Sequence, residues 1–72
     1  MSSTTLSFFV DAEAESQLLD VGHTFTNHGD QLNFELNVDE TLVESLRADE
    51  LLEFFGIDSE FLIAIIDKDA RP

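Results

Sequence analysis

The chain has 72 residues, with 16 Asp and Glu against three Lys and Arg, and a formal net charge of −13. It contains no cysteine, which excludes disulfides, thiolate metal sites and cysteine nucleophiles. Hydrophobic residues make up 43% of the chain, more than acidic disordered tails contain, so we expect a single compact domain over residues 1–72.

Targeting signals are not evident in the sequence. The first five residues are polar and uncharged, unlike the basic start of a secretory signal. The longest apolar run, residues 61–66, is far shorter than the roughly 20 residues that span a bilayer. These features predict a cytoplasmic protein without a membrane anchor.

The first predicted elements are a strand and a helix. Apolar side chains alternate over residues 4–10, which is typical of a strand with one buried face. Asp11 follows and is a suitable cap for a helix over residues 11–20. Leu18 and Leu19 of that helix are expected to face the core.

A β-hairpin is the clearest local prediction. Residues 21–27 and 31–38 each alternate between apolar and polar side chains. Between them, His28 and Gly29 belong to a short segment with turn-forming residues. The two segments are therefore predicted to pair as antiparallel strands around a turn centred on these two residues.

The expected register of the hairpin also places both histidines. Thr26 should lie opposite Gln31, and His23 opposite Phe34 on the apolar face, while His28 lies in the turn. Two histidines on a hairpin could hold zinc if a carboxylate such as Asp30 joined them, but with His23 on the apolar face and His28 in the turn no metal site is predicted.

The rest of the chain has helical periodicity. Asp39 is expected to cap a helix, and a break follows near Arg47, with Asp49 restarting the next helix. Gly56 suits the end of that helix, and a last helix is expected over residues 58–66. The predicted fold is α+β, with a three-stranded, mainly antiparallel sheet (about 4–10, 21–27 and 31–38), one helix after the first strand, and two or three C-terminal helices packed on one face.

The segment over residues 48–66 has the spacing of a helix-turn-helix. In a DNA-binding version the second helix would present donors and positive charge at its start. Here that helix would start with Asp58 and Glu60, which repel phosphates. We therefore interpret the segment as a packed helix pair that does not read DNA.

Catalysis and cofactors are not predicted. Glu40 with Glu44, and Glu50 with Glu53, share helix faces, but general acid–base catalysis needs one carboxylate of a pair to be buried, and amphipathic spacing places these pairs in water. The sequence has no phosphate-binding glycine loop and no nucleophile elbow. We expect neither an enzyme nor a bound cofactor or metal.

The acidity exceeds what the fold requires. Half of the carboxylates fall at predicted helix starts, where they cap N–H groups and complement the helix dipole. The other half has no such explanation. A compact chain of this length should be about 29 Å across. Duplex DNA of that length carries roughly 17 phosphate charges, so the negative charge per unit length approaches that of DNA.

In size, acidity and lack of catalytic residues, the chain resembles small phage-encoded DNA mimics, among them anti-CRISPR and anti-restriction inhibitors. The resemblance implies a non-catalytic inhibitor, acting in the host-cell cytoplasm, whose carboxylates occupy the nucleic-acid site of a basic protein. The implied partner is a nucleic-acid-binding protein such as a CRISPR surveillance complex or a restriction or nuclease enzyme, with no direct contact to nucleic acid or membrane. The chain would act as a monomer or homodimer. The expected contact residues are Glu15, Asp20, Glu35, Glu40, Glu44, Glu50, Glu53, Asp58, Glu60 and Asp67.

Two other functions fit the same composition. The chain could be an ordinary small domain of a halophilic organism, whose acidity is an adaptation to salt. It could also be an antitoxin-like or adaptor module that docks through apolar residues. The antitoxin-like or adaptor function requires exposed rings at Phe54, Phe55 or Phe61, whereas the DNA-mimic interpretation places these rings in the core.

Overall fold

The computed structural model describes residues 2–68, which form a four-stranded antiparallel sheet and three short α-helices. The strands follow the spatial order β2-β3-β1-β4, so β1 and β3 are central and β2 and β4 are the edges. The elements in chain order are β1 (Ser3–Asp11), a 3-10 turn (Ala12–Ala14), α1 (Glu15–Val21), β2 (Thr26–Asn27), β3 (Gln31–Asp39), α2 (Glu40–Ser45), α3 (Ala48–Phe54), a second 3-10 turn (Ser59–Phe61) and β4 (Leu62–Asp67).

The core lies between one face of the sheet and the helices. Pairing of β1 with β3 places Phe8 opposite Phe34, and the two rings stack with their centroids 4.9 Å apart. Alternation along the strands brings the other apolar side chains of β1 and β3 to this same face, except Phe9, which points to the opposite face. The helices and the loop after α3 cover it with buried side chains, namely Ala14, Leu18, Leu51, Leu52 and Ile57.

Aspartate caps start three of the helical segments. Asp11, Asp39 and Asp58 each have an extended backbone, and each carboxylate accepts a hydrogen bond from the backbone N–H two residues later. These bonds satisfy N–H groups that have no partner within the helix. The cap that the sequence predicts at Asp11 is therefore confirmed, and so is the one at Asp39.

The break between the two central helices is present, but Asp49 does not start α3. The chain is extended at Leu46 and Arg47, and α3 begins at Ala48. Glu50 reaches back to accept a hydrogen bond from the backbone N–H of Arg47 at 2.9 Å. The carboxylate three residues into the helix thus stabilises the start that we expected Asp49 to cap.

The predicted hairpin exists, but in a different register and with a much shorter first strand. Thr26 pairs with Asn33 and not with Gln31, and the N–H of His28 donates to the carbonyl of Gln31 at 2.8 Å. The turn is therefore centred one residue later, on Gly29 and Asp30. A shift of two in the pairing keeps every side chain on its expected face. Residue 21, predicted to begin this strand, ends α1 instead.

The last predicted helix, over residues 58–66, is wrong. Only Ser59–Phe61 forms a 3-10 turn, and Leu62–Asp67 is strand β4, paired antiparallel with β1. The helix-turn-helix interpretation of residues 48–66 is therefore also wrong. A continuous apolar run does not distinguish a helix from a strand, and the three isoleucines of this run favour a strand.

Among residues 2–68, no helix combines the length and the apolar content needed to cross a membrane.

Candidate acidic surface

The ten carboxylates expected at the contact surface divide between two parts of the fold. Two are on strands: Glu35 on β3 and Asp67 at the end of β4. The other eight are on the helical segments that cover the core, and we call this set the acidic helical layer. Its members are Glu15 and Asp20 on α1, Glu40 and Glu44 on α2, Glu50 and Glu53 on α3, and Asp58 and Glu60 at the second 3-10 turn.

Local folding places these groups outward. The helices are amphipathic, so most of their apolar side chains pack on the sheet and their carboxylates face water. Leu18 is buried as expected, but Leu19, also predicted to face the core, is 64% exposed because it lies on the outer side of the short helix α1. All eight members of the acidic helical layer are solvent-exposed except Glu40, which is partly buried. The packing that buries the apolar faces of the helices therefore also exposes the carboxylates of the layer.

Several members of the layer have no bonding partner within the described chain. Three take part in local structure: Glu50 at the backbone of Arg47, Glu53 with the hydroxyl of Ser59 at 2.7 Å, and Asp58 as a cap. Among residues 2–68, no hydrogen bond or ion pair engages the carboxylates of the remaining five, which are Glu15, Asp20, Glu40, Glu44 and Glu60.

Positive charge near the layer is sparse. Arg47 is 3.9 Å from Asp49 at the start of α3, and both side chains are largely exposed. An exposed pair at this distance contributes little to stability and leaves most of the surrounding field in place. Within the described residues the helical side of the molecule is thus strongly negative.

Asp39 shows what a structurally engaged carboxylate looks like in this chain. The backbone N–H of Thr41 donates to it at 2.9 Å and the Thr41 hydroxyl at 2.8 Å. These hydrogen bonds, the backbone one foremost, hold the pKa of Asp39 below its ordinary value. The charge of Asp39 therefore serves the start of α2.

The two strand-borne residues do not belong to the acidic helical layer. Glu35 points to the opposite side of the sheet, where it forms an ion pair of 3.1 Å with Lys68. Asp67 accepts a hydrogen bond from the hydroxyl of Thr4 and is thus held at the end of the sheet. The sequence pattern did not reveal either partner, because both pairs depend on the position of β4.

The sheet face away from the helices contrasts with the acidic helical layer. We call it the open sheet face. Its one carboxylate away from the strand ends is the paired Glu35, and its residues are otherwise polar amides and hydroxyls or apolar side chains. Its members, from the strand registers, are Thr5, Ser7, Phe9, Thr26, Asn33, Glu35, Asn37, Ala64 and Ile66.

The phenylalanines differ in a way that the sequence did not predict. Phe55 and Phe61 are partly buried against the core, whereas the side chain of Phe54 is 60% exposed. Phe54 lies on α3 directly after Glu53, so the acidic helical layer carries an exposed aromatic ring. The expectation that all three rings are core is wrong for Phe54.

His23 is on the apolar side and His28 is near the hairpin turn, as expected, but His23 precedes β2 and is not paired with Phe34 in the sheet. His23 is partly buried and stacks on Phe34 with centroids 5.4 Å apart, and His28 is exposed in the hairpin turn. The Nε2 atom of His23 lies 3.3 Å from the carbonyl oxygen of Phe55, so His23 connects the segment before β2 to the end of α3. Among residues 2–68, no group of three or more His, Asp or Glu is arranged to hold a metal ion.

Comparisons of the chain with protein-family models, with curated proteins and with solved structures found no match. Its function has therefore to be inferred from its own charge and geometry.

Proposed function

We propose that the chain is a non-catalytic inhibitor that binds a basic nucleic-acid-binding protein by presenting carboxylates in place of DNA phosphates. The acidic helical layer is the contact surface. The partner is a bacterial defence complex or nuclease, such as a CRISPR surveillance complex or a restriction enzyme, and the proposed place of action is the host-cell cytoplasm. This would make the chain a phage anti-CRISPR or anti-restriction protein.

The observation that carries the proposal is the one-sided distribution of free carboxylates. The acidic helical layer holds eight, five of them without a partner among the described residues. Away from the strand ends, where Asp11 and Asp39 cap helical segments, the open sheet face holds one carboxylate within the described residues, that of Glu35, which is already paired. Charge concentrated on one rigid side gives a directed field, which speeds encounter with a basic surface and selects its orientation.

The dimensions of the domain are compatible with mimicry. Its longest extent is 32 Å and its radius of gyration is 11.7 Å. Duplex DNA of that length carries about 19 phosphate charges. A net charge of −13 on a body of the same length is therefore of the same order, and a channel built for DNA would meet a comparable charge density.

The distribution also bears on the alternative of a halophilic domain. Acidity that serves hydration in salt would be expected over the whole surface, because all of the surface meets the same solvent. Here the open sheet face is nearly uncharged. The one-sided pattern therefore supports recognition of a partner over adaptation to salt.

The first experiment captures the partner and asks whether DNA competes for it. The protein is immobilised, nuclease-treated bacterial lysate is passed over it, and bound material is eluted with a salt gradient or with duplex DNA. We expect one DNA-binding complex or nuclease, released at moderate salt and also by DNA at constant salt, because both disrupt the same charge pairs.

Purified partner then allows a direct inhibition assay. Adding the protein should lower DNA binding by the partner in proportion to its occupancy. Capture that DNA does not reverse, or a partner whose DNA binding is unchanged when the protein is bound, would contradict phosphate mimicry and favour the adaptor alternative.

A further inference from the structure

Strand β4 forms one edge of the sheet. It pairs with β1 on one side, and no strand within residues 2–68 pairs with its other side. An edge strand presents a row of N–H and C=O groups that can extend the sheet with another strand. The other edge, β2, is only two residues long, so it offers far less.

The direction of the backbone groups on β4 follows from one hydrogen bond. The N–H of Lys68 donates to the carbonyl of Thr5 at 2.8 Å, so it points toward β1. In an antiparallel ladder the backbone groups alternate in direction along the strand. The pairing of β4 with β1 is regular from Ala64 to Asp67, and the register shifts at Ile63. Those of Ile66 and Ala64 therefore face β1, and those of Ile65 face outward from the sheet.

The side chains of β4 differ in charge from the rest of the surface. The run from Phe61 to Ile66 contains no charged residue, although the chain as a whole carries 16 carboxylates. Two isoleucines of this strand are exposed, Ile63 by 47% and Ile66 by 51%. A short, uncharged segment rich in β-branched residues at an exposed edge is a strong candidate for strand pairing.

We propose that β4 pairs antiparallel with β4 of a second copy of this chain, giving a closed two-fold dimer with one continuous eight-stranded sheet. The two-fold axis runs perpendicular to the sheet at Ile65, which then lies opposite its own copy, because directly opposite residues of antiparallel strands point to the same face. Both acidic helical layers then lie on the same side of the shared sheet.

The chemistry of the edge favours a second copy over a basic partner. A basic protein is selected by negative charge, and the run from Phe61 to Ile66 has none. A second copy provides the same uncharged run from Phe61 to Ile66, with Asp67 only at its end, and its exposed isoleucines gain apolar contact across the new junction. A six-residue pairing is smaller than a standard interface, so the dimer is weak and reversible.

Salt dependence separates the two kinds of partner. Two copies of a chain with net charge −13 repel each other, and added salt screens that repulsion. The dimer is therefore strengthened by salt, whereas binding to a basic protein is weakened by it. The proposal does not depend on the proposed function, since the dimer forms from pure protein.

The test is sedimentation equilibrium of the purified chain from micromolar to hundreds of micromolar concentration, at low and moderate NaCl. We expect a monomer–dimer equilibrium whose dissociation constant falls as salt rises. A monomer at every concentration and salt level would overturn the proposal and leave β4 to a strand of another protein. Assemblies that grow beyond the dimer would also overturn it, because the closed pairing uses the only long edge described.

Two matched variants locate the contact. Ile63→Lys puts a charge on the exposed edge and should raise the dissociation constant by about tenfold or more. Leu19→Lys makes the same charge change at a side chain 64% exposed on α1, and should leave dimerisation intact or slightly stronger because repulsion is reduced. Equal behaviour of the two variants would contradict pairing through β4. Circular dichroism checks that both remain folded.

A backbone substitution tests the pairing itself. The chain is short enough for chemical synthesis, so the amide of Ile65 can be N-methylated, which removes its outward donor and keeps its side chain. We expect dimerisation to be lost while the melting temperature changes little. Retention of the dimer would show that the outer edge of β4 is not paired.

Discussion

The two sides of the sheet are built from the same strands and yet differ in nearly every property. One side is apolar, buried under three helices and covered by the acidic helical layer. The other is the open sheet face, which is polar and almost uncharged. The alternation of side chains along β1 and β3 separates them, so adjacent residues serve different purposes. The comparison shows that the exposed carboxylates are concentrated on the helical side of the sheet and are sparse on the open sheet face.

The largest contrast is expected between two neighbouring phenylalanines of β1. Phe8 is fully buried under the helices and stacks on Phe34, while Phe9 is half-buried on the open sheet face. Phe8→Ala should lower the free energy of unfolding by about 3–5 kcal/mol. Phe9→Ala should lower it by about 1–2 kcal/mol, because part of the ring is already in water.

Urea denaturation measures both losses. If Phe8→Ala does not fold, the milder variant Phe8→Leu is compared with Phe9→Leu to rank the stability losses at the two positions. Equal losses at positions 8 and 9 would mean that the helices do not cover only one face, and the distinction between the two sides would fail.

A smaller effect is expected among the helices, where the end of α1 contacts the loop after α3. Gly56 has φ +92°, and a Cβ added there would lie 2.6 Å from Cγ1 of Val21. Gly22 has a similar φ of +82° with open space around it. Each Gly→Ala change costs about 1–2 kcal/mol through the left-handed backbone.

Gly56→Ala should cost about 1 kcal/mol more than Gly22→Ala, because it also forces α1 away from α3. Thermal unfolding of the two variants measures the difference. Identical losses would show that the two helices are not held against each other at this point.

Salt should stabilise the fold modestly. Few carboxylates are paired within the described chain, so self-repulsion lowers the stability and screening restores part of it. Going from dilute buffer to about 0.15 M NaCl shortens the Debye length to about 8 Å. We expect the melting temperature to rise by a few degrees. A chain that is unfolded in dilute buffer and folds only in strong salt would support the halophilic alternative.

The smallest expected effect is the difference between a carboxylate that caps a helix, such as Asp39, and one that has no hydrogen-bond partner among the described residues. Hydrogen bonds from Thr41 lower the pKa of Asp39 below its ordinary value of 3.8. A lowered pKa means that the ionised cap stabilises the fold above pH 3.8, and this contribution is lost as the pH falls through the lower, folded value. NMR titration should show the lowered pKa in the native chain and a return toward the ordinary value in Thr41→Val.

Removing the carboxylate provides the matching stability measurement. Asp39→Ala should cause a small loss of stability at neutral pH because the cap of α2 is gone. Glu44→Ala, later in the same helix, should be nearly neutral because no described residue bonds its carboxylate. A larger loss at Glu44 would contradict its assignment as a free group.

Much of this architecture follows from local sequence signals. Aspartates at helix starts, the alternation in β1 and β3, and the glycine after α3 each depend on neighbouring residues, and the structure confirms them. The α+β class with an antiparallel sheet is also confirmed. What failed depended on distant contacts. The strand β4 is fixed by pairing with β1, more than fifty residues earlier in the chain.

The candidate site follows the same rule: its local features could be predicted from the sequence, and its long-range contacts could not. Amphipathic periodicity placed the carboxylates of α1, α2 and α3 on exposed faces, as observed. The pairing of Glu35 with Lys68 was not predictable, because it joins two strands that the sequence pattern did not bring together. The exposure of Phe54 likewise depends on how α3 ends.

The central claim is that the position of negative charge, not its total, determines binding to the captured partner. Glu44→Gln with Glu53→Gln removes two negative charges from the acidic helical layer, and Thr26→Lys with Asn37→Lys adds two positive charges to the open sheet face. Both pairs change the net charge by the same amount. The dissociation constant for the partner, measured at fixed salt, should rise about tenfold or more for the first pair and little for the second. Equal weakening by both pairs would show that net charge alone drives the association, and phosphate mimicry by the acidic helical layer would be contradicted.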